Sequence, residues 1–208
     1  MKEVVNRLFN SRFYDLIRRL SMQFTEYNPT FHSGLCKTLI RTAGYLNDKS
    51  YFIFISDHTL PTLIQPCGEL SGVYLRCILK LYGYDEGMQY FLQCSPYNKH
   101  YRVIVPEMLF GLYENGYYEE CISLYNILCD DYGWEPFPKD SPSEQDAYYQ
   151  RQQHLKLLRH SRVYSAAIGS HLALGDYEEG LLLYKEMHFW GLTPLRETYY
   201  DFITVGII

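Results

Sequence analysis

The chain has 208 residues, 47% of them hydrophobic and 21% charged, which is enough to bury one core or build a short repeat array and too apolar for intrinsic disorder. Its 19 lysines and arginines stand against 24 acids, a formal charge of −5, so the molecule as a whole does not attract nucleic acid and any RNA contact must use a local patch. Tyrosine is the unusual residue: 22 of them, against 11 phenylalanines, supply large apolar bodies with a polar end, suited to elements that are only half buried.

The first twenty residues, MKEVVNRLFNSRFYDLIRRL, interleave Lys2, Arg7, Arg12, Arg18 and Arg19 with apolar positions. That pattern fits an amphipathic organelle-import segment; it equally fits an ordinary first helix with a solvated charged face, and Glu3 and Asp15 weaken the import signal. The cysteines at 36, 67, 77, 94, 121 and 129 form no C-x-x-C pair, so they read as reduced, packed thiols in an intracellular compartment and no zinc site is expected. No apolar run approaches the roughly 18 residues of a membrane span.

Further along, the chain repeats itself. GYYEECISLYNIL, Gly116 to Leu128, lies over GDYEEGLLLYKEM, Gly175 to Met187, with Gly, Tyr, Glu, Glu, Leu and Tyr coinciding, and GYDEGMQYFL offers a third copy in which Gly87 matches Cys121 and Gly180. Each copy reads as a helical hairpin: an apolar helix, a turn at glycine, then a second helix whose first-turn acids, Glu119/Glu120 or Glu178/Glu179, suit the helix dipole. On that second helix Tyr118, Cys121, Tyr125 and Leu128 form one apolar stripe, and Tyr177, Gly180, Tyr184 and Met187 repeat it. The small residue within the stripe lets a neighbouring helix approach closely.

VYSAAIGSHLALGDYEEGLLLYKEMHFWGLTP, Val163 to Pro194, resembles a pentatricopeptide repeat, with Tyr164, Ile168, Gly175, Gly180, Tyr184, Met187, Gly191 and Pro194 at the family's spacing. Residues 161–195 are the clear copy. The copy from about Arg102 to Pro136 closes with Gly133-x-x-Pro136 but carries Pro106 inside its first helix, Asn28 to Pro61 is a degenerate copy, and a first helix pair ends near Asn28 and Pro29. RETYYDFITVGII, 196–208, begins a further repeat and stops, leaving a helix without its partner. Tetratricopeptide repeats share the hairpin plan, but the closing G-x-x-P favours the pentatricopeptide resemblance. The resemblance implies an all-α, right-handed α-solenoid of stacked hairpins, one domain over 1–208 with an insertion at about 136–160.

Within that insertion a proline-rich loop precedes a stretch without Pro or Gly, from Ser143 to Ile168, expected to form a long helix from about Glu144 to near Leu174. Its middle carries Arg151, Lys156, Arg159 and Arg162 with His154 and His160 and no acid, which reads either as a solvated face or as an RNA-backbone contact. By contrast, residues 103–150 hold ten acids and a single base, Lys139, while the first fifty hold eight bases and four acids. That polarity suits a molecule wedged between an RNA-facing and a protein-facing neighbour.

No phosphate cradle, nucleophile elbow, H-E-x-x-H or calcium loop is present, and the carboxylates of CDDYGWE, Cys129 to Glu135, fall where an inter-hairpin turn is expected. Neither catalysis nor a cofactor or metal is therefore expected. Pentatricopeptide proteins bind single-stranded RNA in organelles, one base per repeat, read by a polar residue of the first helix and the last residue of the repeat. In the clear repeat that resemblance assigns Ser165 and Leu195, and in the preceding copy Pro106 and about Phe137. Leu195 has no side-chain donor or acceptor, so discrimination would be weak. The expectation is a scaffold or adaptor in a mitochondrial RNA–protein assembly, a mitochondrial ribosome above all, whose partners are other protein subunits with rRNA touched at most non-specifically. The alternatives are a sequence-selective organellar RNA-binding factor and a protein-binding subunit of a respiratory complex.

Overall fold

The computed structural model describes residues 2–25, 33–59, 68–94, 101–130 and 161–206, all of whose regular structure is helical. In chain order the helices are α1 (Lys2–Asn10), α2 (Tyr14–Thr25), α3 (Ser33–Leu46), α4 (Lys49–Thr59), α5 (Gly68–Tyr82), α6 (Tyr84–Gln93), α7 (Tyr101–Glu114) and α8 (Tyr118–Asp130). Then come α9, helical over 161–173, α10 (Tyr177–Phe189) and α11 (Arg196–Thr204). The expected insertion at 136–160, with the start of its long helix, lies outside the described residues. No described helix is long and apolar enough to cross a membrane. The chain divides into two compact units, residues 1–104 and 105–208.

Short turns make the hairpins. The N–H of Asn47 reaches the carbonyl of Gly44 and that of Asp48 the carbonyl of Ala43, a Schellman closure in which Asn47 takes the left-handed conformation at φ 53°. The same pair of bonds recurs at Arg12/Phe13, at Gly116/Tyr117 and at Gly175/Asp176, with Arg12, Gly116 and Gly175 again at positive φ. At two of these turns an aspartate starts the next helix. Asp48 Oδ1 accepts the N–H of Tyr51 at 2.9 Å and Asp176 Oδ1 that of Glu179 at 3.4 Å, each satisfying one of the orphan donors of a helix start.

In the first unit α3 packs on α1, α2, α4 and α5, and α5 packs on α6. One core results, drawn from Val5 of α1, Ile17 of α2, Leu39 and Ile40 of α3, Tyr51 and Ile55 of α4, and Leu70 and Ile78 of α5. Polar bonds cross between hairpins as well: the Tyr51 hydroxyl meets Ser21 Oγ at 2.6 Å, and Thr38 Oγ1 donates to Asn6 at 2.9 Å. Because the Ser21 proton already goes to the Arg18 carbonyl, Tyr51 is the donor to Ser21. Burial pushes the Tyr51 phenol up to about 12, so it stays a neutral donor.

In the second unit the central element is α9. Apart from half-buried Arg162, every residue from 161 to 172 is buried. That is possible because Ser165, Ala166, Ala167, Gly169 and Ser170 are small, and a helix with small or apolar residues all round can be covered on every side.

Candidate functional site

The notch at the second helix of each hairpin sets how close the two helices come. A Cβ on Gly87 would stand 2.3 Å from Leu79 Cδ2, and one on Gly180 would stand 2.9 Å from Leu172 Cδ2. In both hairpins the leucine eight residues earlier has moved into the space that the missing side chain leaves. At Cys121 the side chain fills its own notch, its thiol directed at the Leu109 carbonyl at 3.4 Å. Burial raises that thiol to about 11, which keeps it protonated and inert. Tyr113, eight residues before Cys121, is thereby released from the notch and reaches elsewhere. Its hydroxyl donates to both carboxylate oxygens of Asp201 on α11, at 2.8 and 2.7 Å.

That bridge passes over Gly169 of α9. A Cβ there would meet Tyr113 Cε2 at 2.4 Å and Asp201 Oδ2 at 2.6 Å. Thus three successive first helices, α7, α9 and α11, are tied together across a glycine. Nothing in the repeat comparison marked Tyr113, Gly169 or Asp201. The run of small residues in α9 was the available signal, since a helix poor in bulk at its centre is one that others cross closely.

The stripe residues divide. Cys121 and Met187 are fully buried, Leu128 is 1% exposed, and Tyr125 and Gly180 are buried. Tyr118 and Tyr184 are half-buried, the latter with its ring edge-on to Phe202 at 4.9 Å. Tyr177 stands 46% exposed. Both Tyr118 and Tyr177 open their helices, but Tyr118 has the Tyr113 ring 6.3 Å away, whereas the corresponding place on α9 holds Leu172, drawn in against Gly180.

Of the RNA-contact candidates, Arg151, Lys156 and Arg159 lie outside the described residues. Arg162 does not face solvent freely: its guanidinium pairs with Glu107 and lies over the Phe110 ring, 5.6 Å from the centroid. Ser165, which the resemblance assigns to base reading, is 1% exposed, and its Oγ accepts the backbone N–H of Leu195 at 3.4 Å. The two residues assigned to reading one base therefore meet each other inside the protein. Pro106, the counterpart in the preceding copy, is buried within α7, and Phe137 lies outside the described residues.

Elsewhere on α9 a polar contact ties it to α10. The Tyr164 hydroxyl donates to Glu186 of α10 at 3.0 Å, Trp190 Nε1 approaches the same oxygen at 3.4 Å, and the Tyr125 ring of α8 lies edge-on to that of Tyr164, 6.5 Å between centroids. Burial first, then the adjacent Glu186, holds the Tyr164 phenol well above its usual value, so it remains a donor at any physiological pH.

Asp201 carries a pH dependence. Burial raises its carboxyl, the Tyr113 hydroxyl bond lowers it and Glu197 raises it again, with a net rise. Folding therefore favours the protonated acid. Stability falls as pH rises from the unfolded value of about 4 through the higher folded value, and is flat above that. Asp201→Asn keeps an oxygen for Tyr113 and removes the ionisation. We expect the variant to be the more stable at pH 7, by on the order of 1 kcal/mol at most given solvent screening. Urea unfolding at pH 3.5 and pH 7 checks this: the gain should shrink at the lower pH, and a gain that grew there would contradict the assignment.

Among the described residues no group of three or more histidines, cysteines or acids is gathered as for a metal ion. Fold and surfaces together define an all-helical protein of paired helices joined by tight turns. The chain matches no family model, and no curated protein matches it.

Proposed function

We propose that the protein is a pentatricopeptide-like helical-repeat scaffold, a structural adaptor within a mitochondrial RNA–protein assembly and most specifically a mitochondrial ribosome. In each unit the hairpins would stack as a right-handed solenoid. The succession of α1 on α3 and α3 on α5, and of α7, α9 and α11 joined over Gly169, supports that arrangement. The location is carried by the family resemblance.

One observation carries the adaptor reading: Ser165 is buried and bonded to the Leu195 backbone. A side chain that reads a base must offer its donors and acceptors to the nucleotide, and this one is buried with its oxygen already bonded to its own chain. The engagement of Arg162 by Glu107 argues in the same direction. What the surface offers instead is scattered apolar and aromatic area, including Leu92 at 66% and Phe189 at 81% exposure, of the kind that protein partners cover.

The test is to titrate the purified chain against a randomised single-stranded RNA pool and to ask, in parallel, what it sediments with from mitochondrial extract. No selected sequence should bind more tightly than the non-specific range of roughly 10⁻⁴ to 10⁻⁶ M at physiological salt, and the chain should sediment with ribosomal particles. Nanomolar binding of one defined oligonucleotide would make it a reader; sedimentation with membrane-complex subunits alone would place it in a respiratory complex.

A further inference from the structure

We propose that a cleft lined by α4, α5 and α6 receives an arginine side chain from a partner protein, its guanidinium stacked on a row of aromatic rings and paired with the carboxylates of Asp57 and Glu86. The inference uses these three helices alone and stands apart from the organellar adaptor reading.

The cleft has a volume of about 540 Å³, within the ordinary size range of ligand sites. Four of its lining side chains are aromatic, and they form a row. The Phe52 ring of α4 lies 4.8 Å from that of Tyr74 and 5.9 Å from that of Tyr82, both on α5, and Tyr74 lies 5.1 Å from Tyr90 of α6. Three helices thus contribute to one aromatic surface, and the faces of such rings attract cations. The chain already shows this at the end of the row, where Lys49 Nζ stands 4.9 Å from the Tyr82 centroid.

The charge has one sign. Among the described residues that line the cleft, the charged ones are Asp57 of α4 and Glu86 of α6, and both are exposed. Burial holds the phenols of Tyr74, Tyr82 and Tyr90 above their ordinary value, so they stay neutral and the negative field comes from the two carboxylates. Those acids repel a nucleic-acid backbone and favour a cationic occupant.

Which cation fits follows from the remaining groups. Gln89 and Gln93 also line the cleft and are exposed, and their amide oxygens accept N–H donors. A guanidinium carries five such donors, on a plane that stacks against a ring and in a fork that matches a carboxylate. A quaternary ammonium has no donor, and a lysine ammonium has no plane. Ile53, 51% exposed at the cleft, gives the aliphatic stem of an arginine an apolar surface. The volume holds more than one side chain, so the arginine arrives on a segment of chain with its flanking backbone.

The probe is the end-capped peptide acetyl-Gly-Arg-Arg-Gly-amide, titrated into the isotope-labelled full chain and followed by backbone amide NMR shifts. Saturable shifts are expected within α4, α5 and α6. The double variant Asp57→Asn, Glu86→Gln should bind at least about fivefold more weakly, two exposed charge pairs being removed. Its helix content should be retained, because Asp85 still serves the first turn of α6. The citrulline counterpart of the peptide keeps the shape of arginine and loses its charge, and should bind at least about tenfold more weakly. Removing acids elsewhere, by Glu119→Gln with Glu178→Gln, should leave the affinity within about twofold. Any of four results overturns the proposal. The first is an absence of shifts within α4, α5 and α6. The second is an affinity that the Asp57 and Glu86 substitutions leave unmoved, or that the Glu119 and Glu178 substitutions lower as much, which would make the attraction that of an acidic chain in general. The third is a citrulline peptide that binds as tightly as the arginine peptide. The fourth is the same shifts produced by tetramethylammonium chloride, which would make the cleft a small-cation site, or by a uridine oligonucleotide, which would make it a nucleic-acid site.

Discussion

Gly169→Ala should destabilise the second unit by about 2–4 kcal/mol, although alanine is the better helix former. The propensity gain is about 1 kcal/mol. Against it stands a Cβ at 2.4 Å from Tyr113 Cε2 and 2.6 Å from Asp201 Oδ2. Neither neighbour can retreat cheaply: Tyr113 is held through its hydroxyl and Asp201 is its acceptor. Overfilling a packed site costs about 1–3 kcal/mol, and parting a half-buried donor from its acceptor another 1–3. Trp190 lies in this unit, so its fluorescence in a Trp134→Phe background reports the transition during urea unfolding. If the clash is the cause, Tyr113→Phe should already incur part of the loss, and the double variant should cost less than the two single costs summed. A neutral or stabilising Gly169→Ala would mean that α7 and α11 do not meet over α9.

Phe202→Ala should cost more, about 3–5 kcal/mol, the usual range for emptying a buried phenylalanine site. Phe202 is 1% exposed and receives the edge of the Tyr184 ring at 4.9 Å. It anchors α11 on α10 while its neighbour Asp201 anchors α11 on α7, so both attachments are expected to loosen together. The checks are the urea midpoint and amide hydrogen exchange. Protection should drop first across residues 196–204, with α9 and α10 following only near the global transition. Uniform loss of protection would mean that α11 has no separate attachment.

How much of this could be read beforehand depended on whether a feature was local. The hairpins at Gly116 and Gly175 were legible because a left-handed turn position calls for glycine and a helix start favours acids. The first two turns were not, because Arg12 and Asn47 take that conformation without glycine, and a pattern search keyed to glycine passes over them. Asparagine tolerates it well; arginine is held there by the two closing bonds of its turn. The notch at Gly87 and Gly180 was legible as a small residue in an apolar stripe, but not that Leu79 and Leu172 would fill it, nor that Cys121 would fill its own and free Tyr113. Those outcomes depend on volumes summed over two helices.

By itself, then, the sequence determined an all-helical chain and the hairpin turns at Gly116 and Gly175, which follow from short-range periodicity, turn geometry and residue chemistry. Only the tertiary structure decided which side chains are available. Ser165 turns inward to the Leu195 amide, Arg162 is taken by Glu107, and Tyr199 and Ile203 stay outside while Tyr164 and Ile168 are covered. The reason is physical: a residue's exposure is set by which other helices cross it, and those crossings join positions that are far apart in the chain, 30 residues for Ser165–Leu195 and 88 for Tyr113–Asp201, beyond the reach of a local pattern.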